Sequence, residues 1–213
     1  MKPLCLWVAP LRSAPKIESV PVADLSVQDL TVSQVARRQR VIDAALALGS
    51  AGGYEAVQMR DVARTAGVAL GTIYRYFTSK DHLLAAAMVD WSSDLERRIA
   101  QRRATNGSTA DAVVDVIRKA TRPMERDPRL AAAMVQAGAS NEPAVTACQQ
   151  QTTDTIERVL TGAMDGIEPD RKARTARVLT HVWNSSILRW ANGSEAVGQI
   201  GDDLEDAARL LLD

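Results

Sequence analysis

From Ser33 onward the chain is a near-continuous succession of segments with helical apolar spacing, separated only by glycine and proline punctuation. Val41, Ile42, Ala45 and Leu48 open this pattern, and Gly52-Gly53 stops it. Short helices are predicted over Met59 to Ala66 and Leu70 to Tyr76, then a long one from Ser79 to about Arg103 with Leu84, Met88, Trp91 and Leu95 on one face. In Thr78-Ser79-Lys80-Asp81 an alcohol precedes a carboxylate by three residues, the spacing of a capping box. Beyond Thr105-Asn106-Gly107-Ser108, helices are expected near 109–124, 128–139, 143–165, 170–192 and 195–212. Asp127-Pro128, Glu142-Pro143, Glu168-Pro169 and Asn192-Gly193 mark the breaks between them. No segment alternates with period two for long enough to make a strand, so the fold class is all-α. Residues 1–32 hold four of the eight prolines without a sustained period and are expected to be a flexible tail, ahead of units at 33–80 and 81–213.

Charge separates the two helical units. Lys plus Arg and Asp plus Glu each total 26 in the 213-residue chain, and a neutral protein does not coat nucleic acid indiscriminately. Between residues 36 and 80, however, seven basic side chains face three acidic ones, whereas 81–213 carries 16 bases against 20 acids. The neutral total conceals a basic module on an acidic body. Cys5 and Cys148 give neither a disulfide framework nor zinc spacing, and with only His82 and His181 to add, no metal or other cofactor is expected. No apolar run approaches the ~18 residues of a membrane span. The stretch Leu4 to Leu11 is short, is broken by Pro10 and precedes no cleavage pattern, so no secretory signal is read there and a cytoplasmic location is expected.

Inside the basic module, Val62-Ala63-Arg64-Thr65-Ala66-Gly67-Val68 followed by Leu70-Gly71-Thr72-Ile73-Tyr74 has helix-turn-helix spacing. Ala63 is small where two helices cross, Gly67 can take the positive φ of the turn, and Val62, Val68 and Ile73 can share a core. Such a unit offers its second helix to the major groove of DNA.

The stretches Gly52 to Ala63 and Gly71-Thr72-Ile73-Tyr74-Arg75-Tyr76-Phe77-Thr78-Ser79-Lys80 closely resemble the signature of the TetR family of one-component transcriptional regulators. Within that family the likeness is to the regulators of sterol catabolism, through residues 52–60, 71–77, Ala176-Arg177-Val178 and Val182-Trp183. The resemblance implies nine helices, operator DNA as a partner, a small-molecule effector bound in the body, and a homodimer. It also assigns DNA contacts to Ala69, Leu70 and Gly71 at the start of the recognition helix, to Thr72, and to Tyr74 and Lys80 as phosphate contacts. Gln58 and Arg60 begin the preceding helix, with Arg60 suited to guanine. Arg75, between two tyrosines, is read as a DNA contact, Tyr76 as either packing or contact, and Phe77 as core. Arg37, Arg38 and Arg40 sit near a helix N-terminus, where cations oppose the helix dipole. A phosphate partner would account for them, and Arg38 is taken as a contact.

The body is aliphatic and methionine-rich, with Met88, Met124, Met134 and Met164 expected on four successive helices. The resemblance implies an effector pocket there, with Met88, Trp91, Met124, Met134, Trp183 and Ile187 as apolar lining and Asn184 at the polar end; a steroid or fatty acyl-CoA suits it. Ordinary core packing competes for each methionine. His181, Asn184, Ser185, Ser186 and Arg189 suit either a ligand's polar end or a dimer face. Val197, Ile200, Leu204, Ala208 and Leu211 form an apolar stripe. The resemblance implies that this helix, with residues 170–192 including Val182 and Arg189, makes the dimer interface. The expected function is a ligand-responsive repressor. An activator with the same module, or a helical enzyme acting on an apolar substrate, remain the alternatives.

Overall fold

A computed structural model describes residues 31–101 and 107–213. The flexible-tail reading of 1–32 therefore lies outside the described residues except at Thr31 and Val32, which begin the first helix. Nine helices follow among the described residues: α1 Val32–Ala56, α2 Met59–Ala66, α3 Leu70–Tyr74, α4 Lys80–Ala100, α5 Thr109–Arg126, α6 Pro128–Gly138, α7 Pro143–Gly162, α8 Pro169–Ala191 and α9 Gln199–Leu212. The three Xaa-Pro breaks expected in the body coincide with boundaries, because Pro at the first helical position is preorganised to start a helix and cannot continue one. At Asn192-Gly193 α8 ends as expected, but α9 starts at Gln199, later than the expected 195.

The head, α1 to the start of α4, is built from local signals. Thr31 and Gln34 form a reciprocal capping box that starts α1 ahead of Ser33. Gly53 takes φ +72°, so the helical path breaks there and the last turn, carrying Tyr54, leaves the α1 axis. Gly67 takes φ +65° between α2 and α3, the turn geometry expected of it. Val41, Ile42, Ala45, Val57, Val62, Ile73, Phe77, Leu83 and Leu84 close over these turns as one buried core, with Val68 packed against it.

That core does not stop at residue 80. Ala137 of α6 belongs to it, and Met134 and Cys148 pack against it. The α1–α6 approach is close enough that a Cβ on Gly49 would come within 2.8 Å of Leu130 Cδ1, and Arg129 donates to the Ala51 carbonyl at 3.1 Å. Head and body therefore share a packed seam along α1, α4, α6 and the start of α7.

A second core fills the body from Val113, Val116, Ile117, Leu160, Met164, Leu179, Ile200, Leu204 and Ala208. Met164 lies in the turn after α7, not on a helix as expected. The α9 stripe also needs correction as a dimer face. Ile200, Leu204 and Ala208 are fully buried within the protomer, and Val197, Leu211 and Val182 pack against the same core. The stripe finds its apolar partners on α5 and α8, and polar ties hold it there: Glu205 pairs with Arg118, Arg209 reaches Asp111 at 3.1 Å, and Ser186 donates to Asp203 at 2.9 Å.

Candidate nucleic-acid interface

The helix-turn-helix presents its expected contacts on one small unit. Gln58 and Arg60 are exposed at the start of α2, and Ala69 and Gly71 are exposed at the start of α3. Thr72 and Leu70 are half-buried, Leu70 because it leans on the head core. Tyr74 keeps 47% of its surface in solvent and Arg75 is exposed, whereas Ile73 between them and the recognition turn is buried. The Tyr76 and Phe77 amides both donate to the Ile73 carbonyl at 2.9 Å, ending α3 after Tyr74, two residues earlier than expected. Phe77 drops into the core, as expected of it, and Tyr76 packs half-buried with its ring 6.2 Å from that of Phe77. Of the expected contacts on α2 and at the end of α3, geometry thus leaves Gln58, Arg60, Tyr74 and Arg75 as long polar side chains open to a duplex.

Arg38 is not among them. Its side chain is only 12% exposed, its guanidinium pairs with Asp90 of α4 at 2.7 Å, and it lies 5.5 Å from the Phe77 ring centroid. A carboxylate 52 residues away satisfies the charge, a partner that no local spacing announces. The expectation of an Arg38–phosphate contact is corrected to an α1–α4 tie that holds the floor of the recognition helix.

The α3–α4 junction carries residues that sequence spacing did not single out. Ser79, not Thr78, caps α4 by accepting the His82 amide at 3.0 Å. Asp81 is then one place too early for a capping box, and it accepts instead from the Tyr54 hydroxyl at 2.5 Å. Burial first, and this hydrogen bond second, push the Tyr54 phenol up to about 12. Lys80 sets its ammonium 3.7 Å above the centre of the same Tyr54 ring. On the other side, Thr78 and Ser79 both donate to the carboxylate of Glu142, the Ser79 bond at 2.5 Å. Burial works against that carboxylate, but the bonds from Ser79 and Thr78, with His82 nearby, outweigh it and hold its pKa below the ordinary value. Glu142 stands at the start of α7, so a residue of the body grips the turn that follows the recognition helix. Glu142-Pro143 was legible as a helix start; the destination of its side chain was not.

The expected effector residues divide between places. Met124, Trp183 and Ile187 pack against the body core, Met134 against the head core, and Met88 and Trp91 are half-buried along α4. Asn184 is exposed on α8, so it does not share an interior site with Trp183, its chain neighbour. Ser186 is buried against Asp203, whereas His181, Asn184, Ser185 and Arg189 are exposed, Arg189 being paired with Glu195. A groove of about 530 Å³ lies between α5 and α9, but its walls are Asp115, Arg118, Lys119, Arg122, Asp202 and Glu205, a mixed-charge surface and none of the expected lining.

Comparison with known proteins covers both halves. Residues 41–87 match the bacterial regulatory proteins of the tetR family, and residues 107–211 match the tetracyclin repressor-like C-terminal domain. The HTH-type transcriptional repressor KstR of Rhodococcus jostii is 36% identical over 203 residues, 94% of each chain. The chain belongs to the TetR family. A TetR transcriptional regulator from Rhodococcus sp. RHA1, known from its crystal structure, aligns with TM-score 0.73 at 31% identity, over 84% of this chain and 97% of its own. The Thermus thermophilus FadR repressor, solved in complex with lauroyl-CoA, aligns with TM-score 0.67 over 82% of this chain and 93% of its own. At 22% identity that likeness concerns the fold alone. As a TetR member the protein is a ligand-responsive DNA-binding transcriptional repressor and not an enzyme, which sets the enzyme alternative aside. TetR regulators take operator DNA and a small-molecule effector as partners. Among the described residues, no helix is long and apolar enough to cross a membrane.

Proposed function

We propose that this repressor works as a homodimer released from its operator by an apolar effector, and that the α3–α4 turn is where the body controls the head. The observation that carries the reading is the Glu142 carboxylate on Thr78 and Ser79, because it joins the effector-binding half to the residues directly after the recognition helix. An effector that favours a different α6–α7 arrangement would shift this grip and hence the DNA-competent population.

The dimer face in this reading is the outer side of α8 and α9. Arg174, Val178, His181, Ser185 and Leu188 recur at heptad-like spacing on α8, and Val178 and Leu188 are exposed. On α9, Leu210 is 87% exposed beside Asp206 and Asp213. A two-fold axis would set the basic α8 face of one protomer against the acidic α9 face of the other. Two heads would then read half-sites about one turn apart, ~34 Å.

For the effector, the half-buried Met88, Trp91, Met124, Trp183 and Ile187 support an apolar ligand such as a steroid or a fatty acyl-CoA thioester, with hydrocarbon burial worth roughly 25 cal/mol per Å². Acyl-CoA binding by the FadR relative fits this class. Genomic fragments retained by the purified protein identify the operator. Titrating that complex with lauroyl-CoA, a steroid, and polar metabolites of matched charge tests the effector class; release by the polar set alone overturns it.

A further inference from the structure

We infer that Tyr54 is a positioning residue for DNA binding, acting through Lys80. This rests on the reading of Lys80 as a phosphate contact and extends it to the group that aims it. Lysine is a flexible four-carbon stem with a point charge, and holding it toward a phosphate costs side-chain entropy. Here the ammonium lies over the Tyr54 ring, 3.7 Å from its centre, so part of that ordering is complete before DNA arrives.

The ring is itself held on three counts. Gly53 at φ +72° turns the chain so that Tyr54 leaves the α1 axis, and the ring packs against the head core. The hydroxyl then donates to Asp81, the neighbour of Lys80, at 2.5 Å. That bond engages the one carboxylate in the first turn of α4, the charge that would otherwise compete with phosphate for the lysine. Tyr54 thus offers an aromatic face to the cation and a proton to the adjacent anion.

The test is a double-mutant cycle on the full chain with a random-sequence duplex of about 30 base pairs, roughly three helical turns. Lys80→Gln lowers affinity and reduces the salt slope by about 0.9. Tyr54→Leu lowers affinity about threefold when Lys80 is present and leaves the Lys80→Gln variant unchanged, a coupling of cation–π size. Tyr54→Phe keeps the ring and restores affinity relative to Tyr54→Leu. In NMR spectra of the free protein, the Lys80 ε-methylene protons are shifted upfield by the ring in wild type and in Tyr54→Phe, and return to ordinary positions in Tyr54→Leu. A Lys80→Gln variant with wild-type affinity and slope overturns the phosphate reading and the inference with it. If Lys80→Gln weakens binding but Tyr54→Leu acts equally in both backgrounds, has no effect, or tightens binding, the phosphate reading stands and the Tyr54 inference falls. Should Tyr54→Leu fail to fold, an unshifted Lys80 ε-methylene in wild type overturns it alone.

Discussion

The head and the body solve the same problem, burying helices, with opposite economies. The head closes its core through turns set within a few residues, at Gly53, Gly67 and the Ile73 carbonyl, and around the helix-turn-helix it leaves polar and basic side chains outside, with Val32 and Val35 exposed at the start of α1. The body closes its core by pairing whole helices, α9 with the distant α5 and with its neighbour α8, and what it leaves outside includes Val178, Leu188 and Leu210. Polar exposure around the recognition helix and apolar exposure on α8 and α9 call for different partners, a duplex for one and a second protomer for the other. Between them, Glu142 and the α1–α6 seam keep the two from moving independently.

The sharpest way to break this comparison is to charge the two sides of the body's outer helices. Leu204→Glu puts a carboxylate into the protomer core and is expected to cost about 3–5 kcal/mol, unfolding the chain in thermal melts. Leu188→Glu, at an exposed position, should leave the protomer folded and yield monomers in sedimentation. A folded Leu204→Glu dimer would reverse the assignment of the two faces.

Within the head, Arg60 and Arg38 separate contact from support. Arg60→Ala should cost about 1–3 kcal/mol in operator binding with little change in Tm. Arg38→Ala should lower stability by about 1–2 kcal/mol, since it strands Asp90 and uncovers Phe77, while the salt slope stays at its wild-type value. A reduced slope in Arg38→Ala would return that residue to the interface.

Smaller effects probe the joint. The Glu142 pKa is depressed in the folded state, so its contribution is complete above the ordinary carboxylate range and is lost as pH falls through the depressed value. The protection of the Thr78–His82 amides, taken as exchange relative to the intrinsic rate at each pH, should therefore fall on acidification in wild type, and Glu142→Gln should show reduced protection already at neutral pH. For Tyr54 the sign is opposite. With the folded pKa raised from 10.0 to about 12, its contribution is complete below 10 and fades between those values. The Tm advantage of wild type over Tyr54→Phe should shrink across that window, and ultraviolet titration should show one late tyrosinate that the variant lacks.

The outcome for individual residues follows the range of the interactions that place them. Pro128, Pro143 and Pro169 start helices, Gly67 makes its turn, and Val62 and Ile73 meet across it, because each effect acts within one or two turns of chain. Sequence alone therefore determined the all-α class, the helix order and the helix-turn-helix. The α9 stripe was visible as amphipathic, but periodicity says only that one face is buried and not against what; the packing of α5 and α8 turned Leu204 inward. Arg38 met Asp90, Glu142 met Ser79, and Tyr54 met Lys80 across separations that only tertiary structure closes. Charge and aromatic contacts are decided by distance in space, and a linear spacing rule has no access to that distance once the chain has turned.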